Sequence, residues 1–253
     1  MDFLQGGDLF FHLRNESRFL EEKAAFYAAE ILCALDHLHQ NNYIYRDLKP
    51  ENVLFDSKGH IKLIDFGLAK KLLIEKGLYT CNTLIGTPEY VAPEILMGKD
   101  YDYSVDYWDL GCIVYEMVVG RPPFFGKSVQ ETLRKIVEDK LDFEEYEFFL
   151  TAAARDVIEK LLEKDPKKRI NFEGLKKCAF FKNIDWEQMK KGELEPPFKP
   201  KIETEMDLKY FESRFIDRDL GGNILEVSNK EESQYLYDYY LNFSYKMKME
   251  SLK

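Results

Sequence analysis

Apolar positions divide the chain into stretches of different period. Ala25, Ala28, Ala29, Leu32, Leu35 and Leu38 recur at three- and four-residue spacing, which makes one stripe of a helix and predicts helix across residues 8–40. Asp8 stands just before Leu9, Phe10, Phe11 and Leu13, where a short carboxylate can cap a helix start. The pair Gly6-Gly7 invites comparison with a phosphate loop, but no G-x-G-x-x-G follows it, and it reads as a turn. Two short apolar runs, Val53-Leu54-Phe55 and Ile61 to Ile64, flank "DSKG" and predict a β-hairpin. Residues 66–100 show little period. From Ser104 to Val119 the chain is strongly apolar until Gly120 and Pro122-Pro123 break it, and a helix apolar on all sides belongs in a core. Amphipathic helices are predicted over 128–140 and 151–164. After about residue 183 the period fades. The three prolines of "EPPFKPKIE" hold extended backbone, and 200–253 read as a charged, aromatic tail laid over a domain.

Composition narrows the partners. The 253 residues are 45% apolar and 15% aromatic, enough for one large domain with a tail and too much for wholesale disorder. The net charge of −10 disfavours nucleic acid and anionic membranes and suits a basic partner. Cys33, Cys81, Cys112 and Cys178 are widely spaced, without a C-x-x-C. They predict neither a disulfide framework nor a zinc site, and a reducing compartment is the default. No apolar run approaches the roughly 20 residues that span a bilayer, and no signal-peptide pattern opens the chain. The expectation is a cytoplasmic protein, with the nucleus also open to it, without membrane insertion.

Chemistry concentrates in "YRDLKPENVLFDSKGHIKLIDFGLAK". A single Asp or Asn in a turn is usually a local hydrogen-bonding device. Here the spacing is joint: Arg46-Asp47-Leu48, then Asn52, then Asp65-Phe66-Gly67 after two short strands, which matches the protein-kinase signature. Phosphoryl transfer calls for these residue types. A hard Mg²⁺ takes carboxylate and amide oxygens, which Asp65 and Asn52 supply. Asp47 can accept or orient a substrate hydroxyl. Lys49, two residues away, can neutralise charge on the transferring phosphoryl group.

On these residues the chain resembles the C-terminal lobe of a eukaryotic serine/threonine protein kinase, with Lys49-Pro50-Glu51 as the serine/threonine form of the catalytic loop. The resemblance continues through "GTPEYVAPE" (86–94), "SVDYWDLGCIVYEMVVGRPPF" (104–124) and "DPKKRI" (165–170). It implies that Arg169 pairs with Glu94 and that Asp106 is buried against the catalytic-loop backbone. Tyr45, "PPFKP" (196–200), "DLKYFESRF" (207–215) and "YLNFSY" (240–245) resemble the AGC group, near protein kinase B and the serum-and-glucocorticoid-regulated kinases. Tyr240 departs from the phenylalanine usual there.

The resemblance carries further expectations. The fold is mainly α with a small β-hairpin: a hinge at 1–7, a C-lobe at 8–182 and an AGC tail at 183–253, without most of the β-rich N-lobe. ATP and Mg²⁺ are the implied cofactors. Asp2, Leu4, Asp8, Glu51 and Leu54 would meet the nucleotide. Asp8, Glu51, Glu116 and Thr87 would meet a protein substrate with basic residues upstream of its target. Thr83, acted on by an upstream kinase, and Ser244 would be phosphosites. With the glycine-rich loop and the small-lobe lysine absent from these residues, weak activity of the chain alone is expected. The rival expectation is a non-catalytic module that binds kinase substrates or regulators.

Overall fold

A computed structural model describes residues 4–75, 78–81, 85–146, 148–204 and 207–211. Two helices replace the single one expected over 8–40: α1 (Leu9–Glu16) and α2 (Glu21–Gln40). Asp8 caps α1, its Oδ1 accepting the Phe11 N–H at 2.7 Å. The break falls at Ser17, whose φ is 63°. Phe19 then turns into the core and donates its N–H to the Met117 carbonyl at 2.6 Å. Burying that ring outweighs the modest propensity for helix to continue, and apolar spacing does not register a one-residue interruption.

The core is built around α4 (Ser104–Val119), in which every residue from Val105 to Val118 is buried. It packs on α2 along one side and on α6 (Ala152–Leu161) along the other. Gly111 permits the second contact, because a Cβ there would stand 2.8 Å from the Leu161 side chain. α4 ends at Gly120, where φ is 93° and the Ser17 carbonyl would lie 2.4 Å from any Cβ, so the stop depends on glycine. α3 (Pro93–Leu96) and α5 (Val129–Glu138) lie against each other, and α7 (Phe172–Leu175) follows α6. Ser128 and Thr151 cap α5 and α6 through their hydroxyls.

Among the described residues there are three antiparallel two-stranded sheets, where the sequence predicts one hairpin. β1 (Tyr43–Ile44) pairs with β4 (Lys70–Lys71), β2 (Val53–Phe55) with β3 (Ile61–Leu63), and β5 (Leu73–Glu75) with β6 (Leu78–Thr80). The β2–β3 turn is held by the Asp56 carboxylate, which accepts the Lys58 and His60 N–H groups at 2.8 and 3.0 Å. β1 and β4 are two residues long, too short for any period, and only tertiary folding brings them together. The first two ribbons frame the site: residues 45–52 run between β1 and β2, and residues 64–69 between β3 and β4.

Packing continues past residue 183, where the sequence predicts only a tail. Trp186 of α8 (Trp186–Lys191) meets Phe172 and Phe181 at centroid distances of 5.9 and 5.5 Å. The chain then crosses back to its beginning. Phe198 meets His12 at 4.6 Å and Phe55 at 5.8 Å, Tyr210 meets Phe11 at 6.4 Å, and Gln5 donates to the Thr204 carbonyl at 2.8 Å. No helix among the described residues is long and apolar enough to cross a membrane.

One ion pair is wholly inside this core. Arg169 meets Glu94 through two parallel bonds of 2.6 and 2.9 Å, and also donates to the Ser104 and Glu163 carbonyls at 2.9 Å each. Its guanidinium lies 5.1 Å from the centre of the Trp108 ring. Removing one partner of such a pair strands a buried charge, at about 3–5 kcal/mol. Arg169→Met is therefore expected to lower the melting temperature by about 10 °C, whereas Glu94→Leu combined with Arg169→Met recovers most of the loss. Thermal denaturation of the single and double variants checks this. Equal losses would assign the cost to the two carbonyl bonds instead.

Candidate active site

The site rests on a carboxylate at the start of α4. Asp106 is completely buried. Its two oxygens accept the backbone N–H groups of Tyr45 and Arg46 at 2.9 and 2.8 Å, and His39 Nε2 lies 2.7 Å from Oδ2. Arg46 has a φ of 69°, a left-handed conformation that costs a non-glycine residue roughly 1–3 kcal/mol. The paired bonds from Asp106 hold it there. The Tyr45 hydroxyl donates to the Ile64 carbonyl and ties the loop 45–52 to the loop 64–69. The Arg46 guanidinium crosses the same gap and donates to the Leu68 carbonyl at 2.8 Å.

Asp47 follows on this anchored backbone, and its carboxylate is held from three directions. Thr87 Oγ1 donates to Oδ1 at 3.0 Å, Asn52 Nδ2 to Oδ2 at 3.0 Å, and Lys49 Nζ lies 3.2 Å from Oδ2. Lys49 also donates to Thr87 Oγ1 at 3.2 Å. Asp47, Lys49, Asn52 and Thr87 thus form one network. Asn52 donates further to the Asp47 carbonyl at 2.8 Å, so its amide is fixed with the nitrogen toward Asp47. Asp65 stands across the gap, exposed, with a φ of 55° and Oδ1 accepting the Gly67 N–H at 3.1 Å.

Segment 4–8 forms one edge of the site. Gly6 donates to the Phe55 carbonyl at 3.0 Å, Phe55 to that of Gly7 at 2.8 Å, and Asp8 bridges Leu54. Leu4 is buried and Leu54 half-buried. Glu51 is exposed, within electrostatic reach of Asp8, Asp47 and Lys49. Glu116 is different: only 6% exposed, it accepts the Tyr90 hydroxyl at 2.6 Å. Asp2, Thr83 and Ser244 lie outside the described residues.

The donors suit a hard cation. One carboxylate and one amide oxygen, Asp65 and Asn52, are the kind of sparse set Mg²⁺ uses when phosphate oxygens and water complete its shell. Among the described residues there is no cluster of three or more His, Cys, Asp or Glu side chains that could hold a metal by itself.

Sequence reasoning did not reach several of these partners. His39 and Tyr101 carry no motif signal and Tyr90 takes no role from "GTPEYVAPE", yet the structure bonds them to Asp106, Arg46 and Glu116 respectively. Asp109, one turn beyond Asp106, is buried, and its carboxyl is pushed well above the usual range by burial, with Asp106 and Asp47 adding to the effect.

With this geometry established, comparison with known proteins is direct. Residues 1–181 match the protein kinase domain family. The chain is 44% identical over 218 residues to protein kinase C delta type of Mus musculus, covering 86% of this chain and 32% of that protein. It is 44% identical over 218 residues to the RAC family serine/threonine-protein kinase homolog of Dictyostelium discoideum, with 86% and 48% covered. It is 41% identical over 263 residues to serine/threonine-protein kinase Sgk1 of Bos taurus, with 99% and 59% covered. The chain belongs to the protein kinase family, and its relatives place it with the AGC serine/threonine kinases. It spans between about a third and three fifths of the length of these relatives.

Glu116 gives the site a pH signature. Burial, assisted by Glu51 and Glu89 and opposed by the Tyr90 hydroxyl, raises its carboxyl to about 7. The unfolded chain ionises this group near pH 4.5, so its contribution to stability is complete below that value and is lost as pH rises through about 7. Glu116→Gln keeps an acceptor for Tyr90 but removes the titration. Wild type is expected to lose about 3 kcal/mol more than the variant between pH 4.5 and 8, as read from urea unfolding at each pH. Parallel curves for the two proteins would show that Glu116 ionises normally.

Proposed function

We propose that this chain transfers the γ-phosphate of ATP to serine and threonine hydroxyls of proteins that carry basic residues before the target. The observation that supports this best is the Asp47 network: a carboxylate held by Thr87, Asn52 and Lys49 at 3.0–3.2 Å on a backbone fixed by Asp106. Asp47 orients the attacking hydroxyl and takes its proton. Lys49 places positive charge beside the transferring group, where electrostatic stabilisation is most effective. Asn52 and Asp65 would hold Mg²⁺, which neutralises charge on the phosphates. Leu4 and Leu54 form an apolar wall for the base, and Asp2, Asp8 and Glu51 offer polar contacts to the nucleotide.

Asp8 and Glu51 also provide carboxylates for a substrate arginine, since Arg–carboxylate bonds are strong and directional. Glu116 completes this acidic set through its electrostatic coupling to Glu51. Phosphorylation of Thr83 by an upstream kinase would add about −1.5 to −2 charges to the segment between Asp65 and Glu94, and Ser244 is a second candidate in the tail.

Residues 1–253 contain no G-x-G-x-x-G loop, and positioning supplies most of phosphoryl-transfer catalysis. Assayed by itself, this polypeptide is expected to turn over far below the usual 1–100 per second. Joined behind the small lobe of protein kinase C delta type, it is expected to phosphorylate serine and threonine peptides and to select arginine upstream. Asp47→Asn in that chimera should cut kcat by about 10²–10⁴, and Asp65→Ala should abolish transfer. A chimera that binds ATP but is indifferent to both substitutions would refute the assignment and favour a binding module.

A further inference from the structure

Cys81 holds its sulfur between two cationic side chains, those of Arg46 and Lys70. It is 5% exposed, and its backbone is locked to Tyr101 by two reciprocal N–H···O bonds of 2.8 Å. Arg46 Nη1 and Lys70 Nζ each stand 3.4 Å from its sulfur, and Arg46 Nη1 also donates to the Tyr101 hydroxyl at 3.1 Å. Lys70 is itself exposed. The other cysteines lack such a setting. Burial pushes the half-buried Cys33 thiol to about 11 and the Cys112 thiol well above the ordinary range. Cys178 is also raised by burial, and its sulfur donates to the Gly174 carbonyl at 3.7 Å.

We propose that Cys81 is a redox-modification site, a nucleophilic thiol that hydrogen peroxide oxidises to a sulfenic acid held between Arg46 and Lys70. Two cations in contact favour the thiolate, which is the reactive form. Its sulfur attacks one peroxide oxygen, so that the S–O bond forms as the O–O bond breaks. Sulfur gives up two electrons, and the departing hydroxide takes a proton to become water. The new oxygen is a better acceptor than sulfur for both cations and competes for Arg46 with Leu68 and Tyr101. The chemistry of Cys81 does not depend on the kinase reading.

The test is labelling of the 253-residue chain, either with a short pulse of iodoacetamide or with limiting hydrogen peroxide and dimedone, quantified at each cysteine by peptide mass spectrometry. Two cations on its sulfur favour the thiolate of Cys81, whereas burial pushes the Cys33 thiol up to about 11, and lower intrinsic nucleophilicity returns only part of the difference. Cys81 is therefore expected to react about tenfold or more faster than Cys33, although Cys33 is the more exposed. Lys70→Gln should slow Cys81 about threefold or more without changing Cys33, while Lys70→Arg retains the wild-type rate. Cys33 reacting as fast as Cys81, or a Cys81 rate unchanged in Lys70→Gln, would overturn the proposal.

Discussion

The geometry of the site depends on one buried carboxylate. Asp106 has no access to water, so its charge is tolerable only because the Tyr45 and Arg46 N–H groups and the His39 ring converge on it. The dependence runs both ways. The left-handed backbone at Arg46 would relax toward an ordinary conformation without those bonds, and Asp47 would move with it. The helix buried along its whole length, α4, is thereby coupled directly to the loop 45–52, which is how a scaffold holds a functional group within tenths of an ångström.

The same helix anchors the other side. Arg169 bonds the Ser104 carbonyl at the start of α4 and clamps Glu94 of α3, and α3 ends the segment that carries Thr87. Thr87 then returns to Asp47. A closed circuit results, from Asp106 through the loop to Asp47, to Thr87, to Glu94 and Arg169, and back to α4. The links other than the chain itself are polar contacts largely withdrawn from water, where they are stronger than at the surface and costlier to leave half-made. By contrast, the three carboxylates proposed to meet a basic substrate are unequally exposed. Glu51 is exposed, Asp8 caps α1, and Glu116 is withdrawn beside Tyr90.

The sequence by itself determined the helical character of the domain and the hairpin around Asp56, and it singled out Asp47, Lys49, Asn52 and Asp65 as candidates. These are local signals: the apolar period of a long helix, turn chemistry at fixed offsets, and a motif whose spacing is set by two short strands. Even the burial of α4 was legible, because a helix apolar on every side has nowhere else to go. Tertiary structure alone decided what depends on distant partners. The break at Ser17 follows from room for Phe19 beside Met117, and the β1–β4 pairing joins two dipeptides with no period of their own. The withdrawal of Glu116 into contact with Tyr90, the packing of Trp186 against Phe172, and the meeting of Arg46 and Lys70 on the sulfur of Cys81 are of the same kind. A linear pattern records which face of an element is apolar, but not which distant side chain will fill the space opposite it. Hydrogen bonds and charges act over a few ångströms, so their partners exist only once the chain has folded.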